Sequence, residues 1–476
     1  MIPNPTTSIF EAMKLKPLLQ QAAITVWVIL ILAACSSDPK PVVPPYDGVS
    51  VLRIQTAGQD IGYETKIPAT MSIYQDDELV QDLTIGIEIR GATSAGFEKR
   101  SYSIELRDAV GNDLPAKVLD MPEESDWILY APYSDKTFLN NHLAYDWSNR
   151  IGQYAARTAW VELEVNGQYE GVYLFMERIK RDPQRVDIKK LGALDNSTDL
   201  ITGGYILKID KAVGEAPNIG WPDATYLPDY SFRSDYGASG LFLAYPAFNG
   251  KQSEETYFIY SYPKPEDITA QQKTYIQGYM RQFETALVEE TFSGNSRSYT
   301  AYIDVPSFVD HFILNEITGN PDAYRLSTFL HKDRGGKLRM GPVWDFNIGF
   351  GNDGRSQTQQ WIYQFNRFYG GDLWLVPFWW EKLLADPQFR AAVKKRWTEL
   401  RQDVFKTENV LKQIDDEVAF LKAKGVVDRN YARWPVLGVP LPFNSVVWAT
   451  YDEEVQYLKD WLTDRVTWMD QQILAW

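Results

Sequence analysis

Strand periodicity fills the first part of this chain and helical periodicity the second, and that division constrains the fold more than any single motif. Ile85, Ile87 and Ile89 alternate with Gly86, Glu88 and Arg90, while Tyr102, Ile104 and Leu106 alternate with Ser101, Ser103 and Glu105. A period of two puts each apolar set on one face of a strand. The turn between them, residues 91–96, is built of small residues. A second hairpin is marked by Asn166-Gly167 between the runs 160–165 and 169–176. Asn-Gly accepts the left-handed backbone that a two-residue hairpin turn requires. Residues 136–151 carry Phe138, Leu139, Leu143, Trp147 and Ile151 at helical spacing. Residues 212–262 are rich in Gly, Pro, Tyr and Asp and read as long loops with short strands. Helices are expected over 269–290, over 304–317 with Pro306 in the first turn, and within 377–424 and 451–473. The pattern predicts an α+β protein of two lobes with a cleft, strand-rich over about 49–210 and mainly helical over 211–476.

Charge and cysteine usage narrow the class of function. With 48 Lys+Arg against 63 Asp+Glu the net charge is −15. Nucleic-acid backbones are held mainly by Lys and Arg, so no nucleic-acid partner is expected. The single cysteine, Cys35, excludes an internal disulfide. It follows Leu32-Ala33-Ala34, after an apolar run from Ile24 and a basic stretch holding Lys14 and Lys16. Basic, apolar and small-residue regions in that order define a secretory signal, with Met13 as the better-placed start. The run is shorter than the ~20 residues of a membrane span. Residues 1–34 therefore read as a signal peptide whose Leu-Ala-Ala-Cys end resembles the lipobox of bacterial lipoproteins. Lipid on Cys35 would be the membrane attachment, and the cell envelope the location. Residues 35–48 hold four prolines and read as a tether, leaving 49–476 as the folded domain.

The chemistry is concentrated in residues 315–351. A helix ends at Gly319, a loop presents Asp322, and residues 328–332 and 337–343 form a hairpin around Asp333-Arg334-Gly335-Gly336. A hairpin brings its two ends together, so Asp322 and Asp345 are expected to approach one another. Paired carboxylates at one hairpin mouth suit a magnesium ion and phosphoryl transfer. Ser327 follows Asp322 by five positions, and Asp345-Phe346 leads into Asn347, a layout like the catalytic and metal-binding loops of protein kinases.

Several ordered segments carry a resemblance. They are Arg90-Gly91-Ala92-Thr93-Ser94 with Lys99-Arg100-Ser101-Tyr102, residues 127–141, and Asn166-Gly167-Gln168-Tyr169-Glu170-Gly171-Val172-Tyr173 to Glu177. Asn320-Pro321-Asp322 and Trp344-Asp345-Phe346-Asn347 complete them. Together they resemble the spore-coat protein H (CotH) kinase family, in its bacterial lipoprotein branch. The resemblance implies an atypical kinase-like fold that binds ATP with magnesium and phosphorylates serines of protein partners. Carried over, it makes Asp322 the catalytic aspartate and Asp345 the metal ligand. Ser327 stands where the family more usually has Asn, and Asn347 where a second Asp is common; both would give the metal a neutral oxygen. Lys99 is the expected phosphate-contacting lysine, Glu177 ends the hairpin where a kinase hinge would hold adenine, and Lys208 is a further cation. His142, His311 and His331 read as structural.

A second function class is a surface-binding or adhesion lipoprotein without catalysis. Its glycan or protein ligand would meet aromatic stretches such as Trp361-Ile362-Tyr363 and Trp379-Trp380.

Overall fold

The computed structural model describes residues 48–63, 65–214 and 224–476. The signal segment, Cys35 and the tether up to residue 47 lie outside the described residues. Gly48–Trp476 forms one compact unit.

Its first architectural element is a closed barrel, which the alternation in the sequence did not reveal. The strands are β1 (Ser50–Gln55), β2 (Ile67–Gln75), β3 (Glu78–Arg90) and β4 (Ser101–Leu106), with β5 (Ala116–Val118) and β6 (Met121–Glu124) as a separate side hairpin. Then follow β7 (Asp126–Tyr130), β8 (Thr158–Val165) and β9 (Gln168–Glu177). The barrel closes in the order β1-β2-β3-β4-β7-β9-β8, sealed by a parallel β1–β8 pair that sets Leu52 against Leu163. Ile85 faces Leu106 and Ile87 faces Ile104 across the β3–β4 ladder, as their spacing predicts. All four are buried among Leu52, Ile54, Trp127, Leu163 and Phe175 inside the barrel. The β8–β9 turn is the expected one, with Asn166 at φ 51° and Gly167 at φ 78°.

A second, five-stranded sheet has the order β11-β12-β10-β13-β14. Its strands are β10 (Tyr205–Ile209), β11 (Ser231–Arg233), β12 (Tyr257–Tyr262), β13 (Thr328–Lys332) and β14 (Leu338–Met340). A boundary at residue 210 separates β10 from strands it pairs with, β12 and β13, so the second sheet draws on both halves of the chain.

Besides a single turn at Phe365–Phe368, the helices among the described residues are α1 (Asn140–Arg150), α2 (Ala270–Val288), α3 (Val305–Thr318), α4 (Trp379–Ala385), α5 (Pro387–Leu400), α6 (Thr407–Ala423), α7 (Val426–Arg433) and α8 (Tyr451–Leu474). The first helix begins four residues later than the periodicity predicts. Phe138 takes a left-handed φ of 70°, and the Asp135 carboxylate accepts the Asn140 N–H instead, so the segment before Asn140 is a capping loop. α3 is buried from Ser307 to Thr318 and forms the axis of the main core. Asp304 caps it by accepting the Ser307 N–H, and Gly319 ends it at φ 54°. A Cβ on Gly319 would lie 2.7 Å from Trp461, so glycine is required by both backbone and space.

Trp361, Trp379 and Trp380, which the second function class assigned to a binding surface, are buried at 7%, 1% and 1% exposure. Their rings pack on Phe312, Phe283 and Tyr324 in the core. Among the described residues no helix is long and apolar enough to cross a membrane.

Candidate functional site

The loop after α3 and the loop after β14 meet, and the sequence shows why. Gly319 stops α3, and Asn320 then bonds in two directions. Its side-chain oxygen accepts the Asp322 N–H at 3.2 Å, while its amide donates to the Asp345 carbonyl at 3.1 Å. One asparagine thus fixes both aspartate-bearing loops. On the other side α1 holds the second loop: the Tyr145 hydroxyl accepts the Asp345 N–H at 3.1 Å and Asn141 accepts the Phe346 N–H at 2.6 Å. Asn140 and Asn352 donate to the Asn347 carbonyl.

Four residues of these two loops other than glycine hold left-handed backbone: Tyr324 at φ 70°, Ser327 at 46°, Asp345 at 62° and Phe350 at 57°. Each such residue costs roughly 1–3 kcal/mol, and clustering of that kind marks loops shaped by function. Tyr324 is anchored from behind by its hydroxyl on Glu316, 3.1 Å away. Glu316 is itself paired with Arg465 of α8 at 2.9 Å, both side chains at 0% exposure.

Asp322, Ser327, Asp345 and Asn347 line one cavity of about 390 Å³, within the range of small-ligand sites. Asp210 and Asp372 join them, and Arg90, Lys211, Arg325 and Arg355 supply four cations. Arg325 is 2% exposed; it donates to Asp322 at 2.6 Å and pairs with Asp372 at 3.3 Å. Burial, reinforced by the charges of Asp322 and Asp210, pushes the Asp345 carboxyl up to about 7. Arg90 and Lys211 oppose that rise without cancelling it. The rise therefore marks, above all, a carboxyl that burial has stripped of water.

Three expected ligands of the nucleotide lie elsewhere. Lys99 is 1% exposed and does not line the cavity. Its ammonium donates to the Val172 carbonyl at 2.6 Å and to Asn430 at 2.9 Å, tying α7 to β9. Burial pushes that amine well below the usual lysine range. Glu177 is 0% exposed at the end of β9, accepting the Tyr154 hydroxyl at 3.0 Å and pairing with Arg157 and Arg185. Lys208 pairs with Asp210 at 3.7 Å, one residue's remove from the cavity wall.

Arg90, which the sequence reading did not single out, lines the cavity where Lys99 does not. It ends β3, and its guanidinium lies 5.6 Å from the Trp344 ring centre and takes part in no side-chain hydrogen bond or ion pair among the described residues. Burial, with help from Arg178, lowers it to about 10, so it stays charged at neutral pH. Gly91 follows at φ 108°, where a Cβ would lie 2.1 Å from the Ser94 hydroxyl. The turn thereby folds back to line the cavity beside Arg90. The signal was present in Arg90-Gly91-Ala92-Thr93-Ser94: a charged residue ending an alternating strand just before a tight glycine turn.

The model of the family described as CotH kinase protein matches residues 87–469. The chain belongs to the CotH family. Inner spore coat protein H of Bacillus subtilis (strain 168) is similar to it, 28% identical over 121 residues. That stretch is 25% of this chain and 30% of the relative, so the alignment spans less than a third of the relative's length. The CotH match begins within β3 and ends within α8, enclosing both aspartates and Arg90.

A magnesium-bound nucleotide, which CotH kinase membership brings into question, can be tested against these residues. Among the described residues no three His, Cys, Asp or Glu side chains form a group able to hold a metal ion. Magnesium keeps water and phosphate ligands and needs only one or two carboxylates, so the absence of a full protein cage is compatible with it. The half-neutralised Asp345 and the available Arg90 are the complementary charges that such an ion and its phosphates require. The residues fit the group.

Proposed function

We propose that this CotH protein is a kinase-like phosphotransferase that uses ATP with magnesium to modify serine hydroxyls of a protein. The observation that carries the reading is the convergence of Asp322 and Asp345 on one cavity wall, with Arg90 beside them. Bound magnesium–ATP would supply a polarised, transferable phosphoryl group. The chain's residues do the rest. Asp345 would anchor the metal, with Ser327 and Asn347 adding neutral oxygens. Arg90 and Lys211 would draw the phosphates in, and Trp344 offers an aromatic wall. Asp322, kept in place by Arg325, would orient the acceptor hydroxyl and take its proton. The barrel and the helical region would then act as the two lobes of an atypical kinase-like fold, with 49–476 as the kinase domain. We further propose a lipid anchor on Cys35, residues 35–48 as its tether, and a place in the cell envelope.

The test is calorimetric titration of ATP–magnesium, with a phosphate-transfer assay on a serine-rich acceptor. Asp345→Ala should abolish magnesium-dependent binding. Asp322→Ala should keep most binding and lose transfer. Arg90→Met should weaken nucleotide about tenfold or more, as expected for one lost charge-assisted contact worth ~1.5–3 kcal/mol. Wild-type protein that neither binds nucleotide nor transfers phosphate would overturn the reading.

A further inference from the structure

α3 and the β13–β14 hairpin also wall a second cavity, of about 200 Å³, which shares no lining residue with the first. It has room for the volume of roughly six or seven water molecules. Its apolar side is formed by Ile151, Val186, Leu314, Met340 and Val343, all buried. It reaches the surface at Asp187, which is exposed, and at Arg339, whose side chain is 38% exposed.

Unsatisfied polar atoms gather around it. Among the described residues six buried side-chain nitrogen or oxygen atoms have no hydrogen-bond partner. Three of them are Nη2 of Arg185 and the two ring nitrogens of His311. Arg185 and His311 line the cavity, as does Tyr154, whose hydroxyl bonds to Glu177. Buried polar groups are rarely left without partners, and such a concentration calls for an occupant. His311 is 5% exposed, its ring stacked on Trp380 with both nitrogens unpartnered. Burial pushes it down to about 3, so it is a neutral imidazole, one nitrogen a donor and the other an acceptor.

Charge selects the ligand. Two guanidinium groups, Arg157 and Arg185, share the single carboxylate of Glu177, and the Arg185 side chain is only 1% exposed. Arg185 Nη1 already donates to the Asp126 and Arg178 carbonyls at 3.0 and 2.9 Å, which leaves Nη2 without an acceptor, and a carboxylate oxygen makes the stronger, charge-assisted bond to it. Of the two acidic groups in the wall, Asp310 is already paired with Arg396 at 2.7 Å, and Asp187 stands exposed at the mouth.

We propose that this cavity binds a small organic acid, its carboxylate on Arg185 and the N–H of His311 and its apolar body against the aliphatic wall. The site is independent of the phosphotransferase reading. Benzoate is the probe and its uncharged amide, benzamide, the control, followed with the full chain by saturation-transfer NMR and calorimetry. Wild type should bind benzoate saturably and benzamide at least tenfold more weakly. His311→Phe keeps the stack on Trp380, removes both nitrogens and should weaken benzoate several-fold. Ile151→Trp should fill the space and abolish binding, while Asp345→Ala should leave it unchanged. Folded wild type that shows no saturable benzoate binding would overturn the proposal, leaving a cavity that holds water alone. Equal binding of benzamide, indifference to both cavity variants, or loss in Asp345→Ala would overturn it as well.

Discussion

Replacing Asp345 by asparagine isolates the electrostatic cost of holding a carboxylate at the back of the larger cavity. Its pKa rises from an ordinary 3.8 to about 7. That is about 3 pH units at ~1.4 kcal/mol each, a ceiling of ~4 kcal/mol. The side chain keeps partial exposure, and solvent screening reduces the figure to about 2–3 kcal/mol. The sign follows from proton linkage. Between pH 4 and 7 the folded state holds the Asp345 proton more tightly than the unfolded chain, so stability is full below about pH 4 and declines as pH rises to about 7. Asp345→Asn has no charge to bury, and asparagine tolerates the left-handed φ of 62° better than most residues. Urea midpoints should therefore be similar for variant and wild type near pH 4. At pH 8 the variant should be more stable by about 2–3 kcal/mol. Two stability curves that run parallel from pH 4 to 8 would refute the reasoning, because no linked proton would then reside on Asp345.

Lys99→Met removes the two hydrogen bonds that its ammonium makes to Val172 of β9 and Asn430 of α7 and should cost about 1–3 kcal/mol in denaturant unfolding, without changing ATP–magnesium affinity in calorimetry. Trp397→Ala should cost about 3–5 kcal/mol, since the ring is 1% exposed and its N–H bonds to Asp470 at 2.8 Å; a chemical melt checks it. Cys35→Ala should move the mature protein from the membrane fraction to the soluble one on cell fractionation, and retention at the membrane would count against a lipid on that residue.

What could be read in advance follows the range of the interactions involved. The β3–β4 and β8–β9 hairpins are local, and their registers follow from alternation and from Asn166-Gly167. The approach of Asp322 to Asp345 was legible for the same reason, because one hairpin lies between them. Barrel closure was not, since it depends on β1 pairing with β8 more than a hundred residues away, and no local period encodes that partner. Lys99 shows the same limit in a single residue. From sequence it is a lysine after a glycine turn; its role is decided by Asn430, 331 positions further on. Arg325 and Arg355 were missed because nothing local distinguishes an arginine that faces a cavity from one on a solvated loop.

The Glu316–Arg465 pair sets the order in which this protein can be completed. Arg465 lies eleven residues from the end of the given sequence, yet it neutralises the carboxylate that carries Tyr324 and, through it, the loop of Asp322. Until α8 arrives, Glu316 would be a buried charge without a counter-ion, an arrangement worth several kcal/mol against folding. During synthesis the barrel has all its strands once residue 177 has emerged, but the aspartate loops must wait for α8. A nascent or clipped chain lacking α8 would carry every residue of the larger cavity's wall and still leave the Asp322 loop unset, so the wall depends on a helix that contributes nothing to its lining.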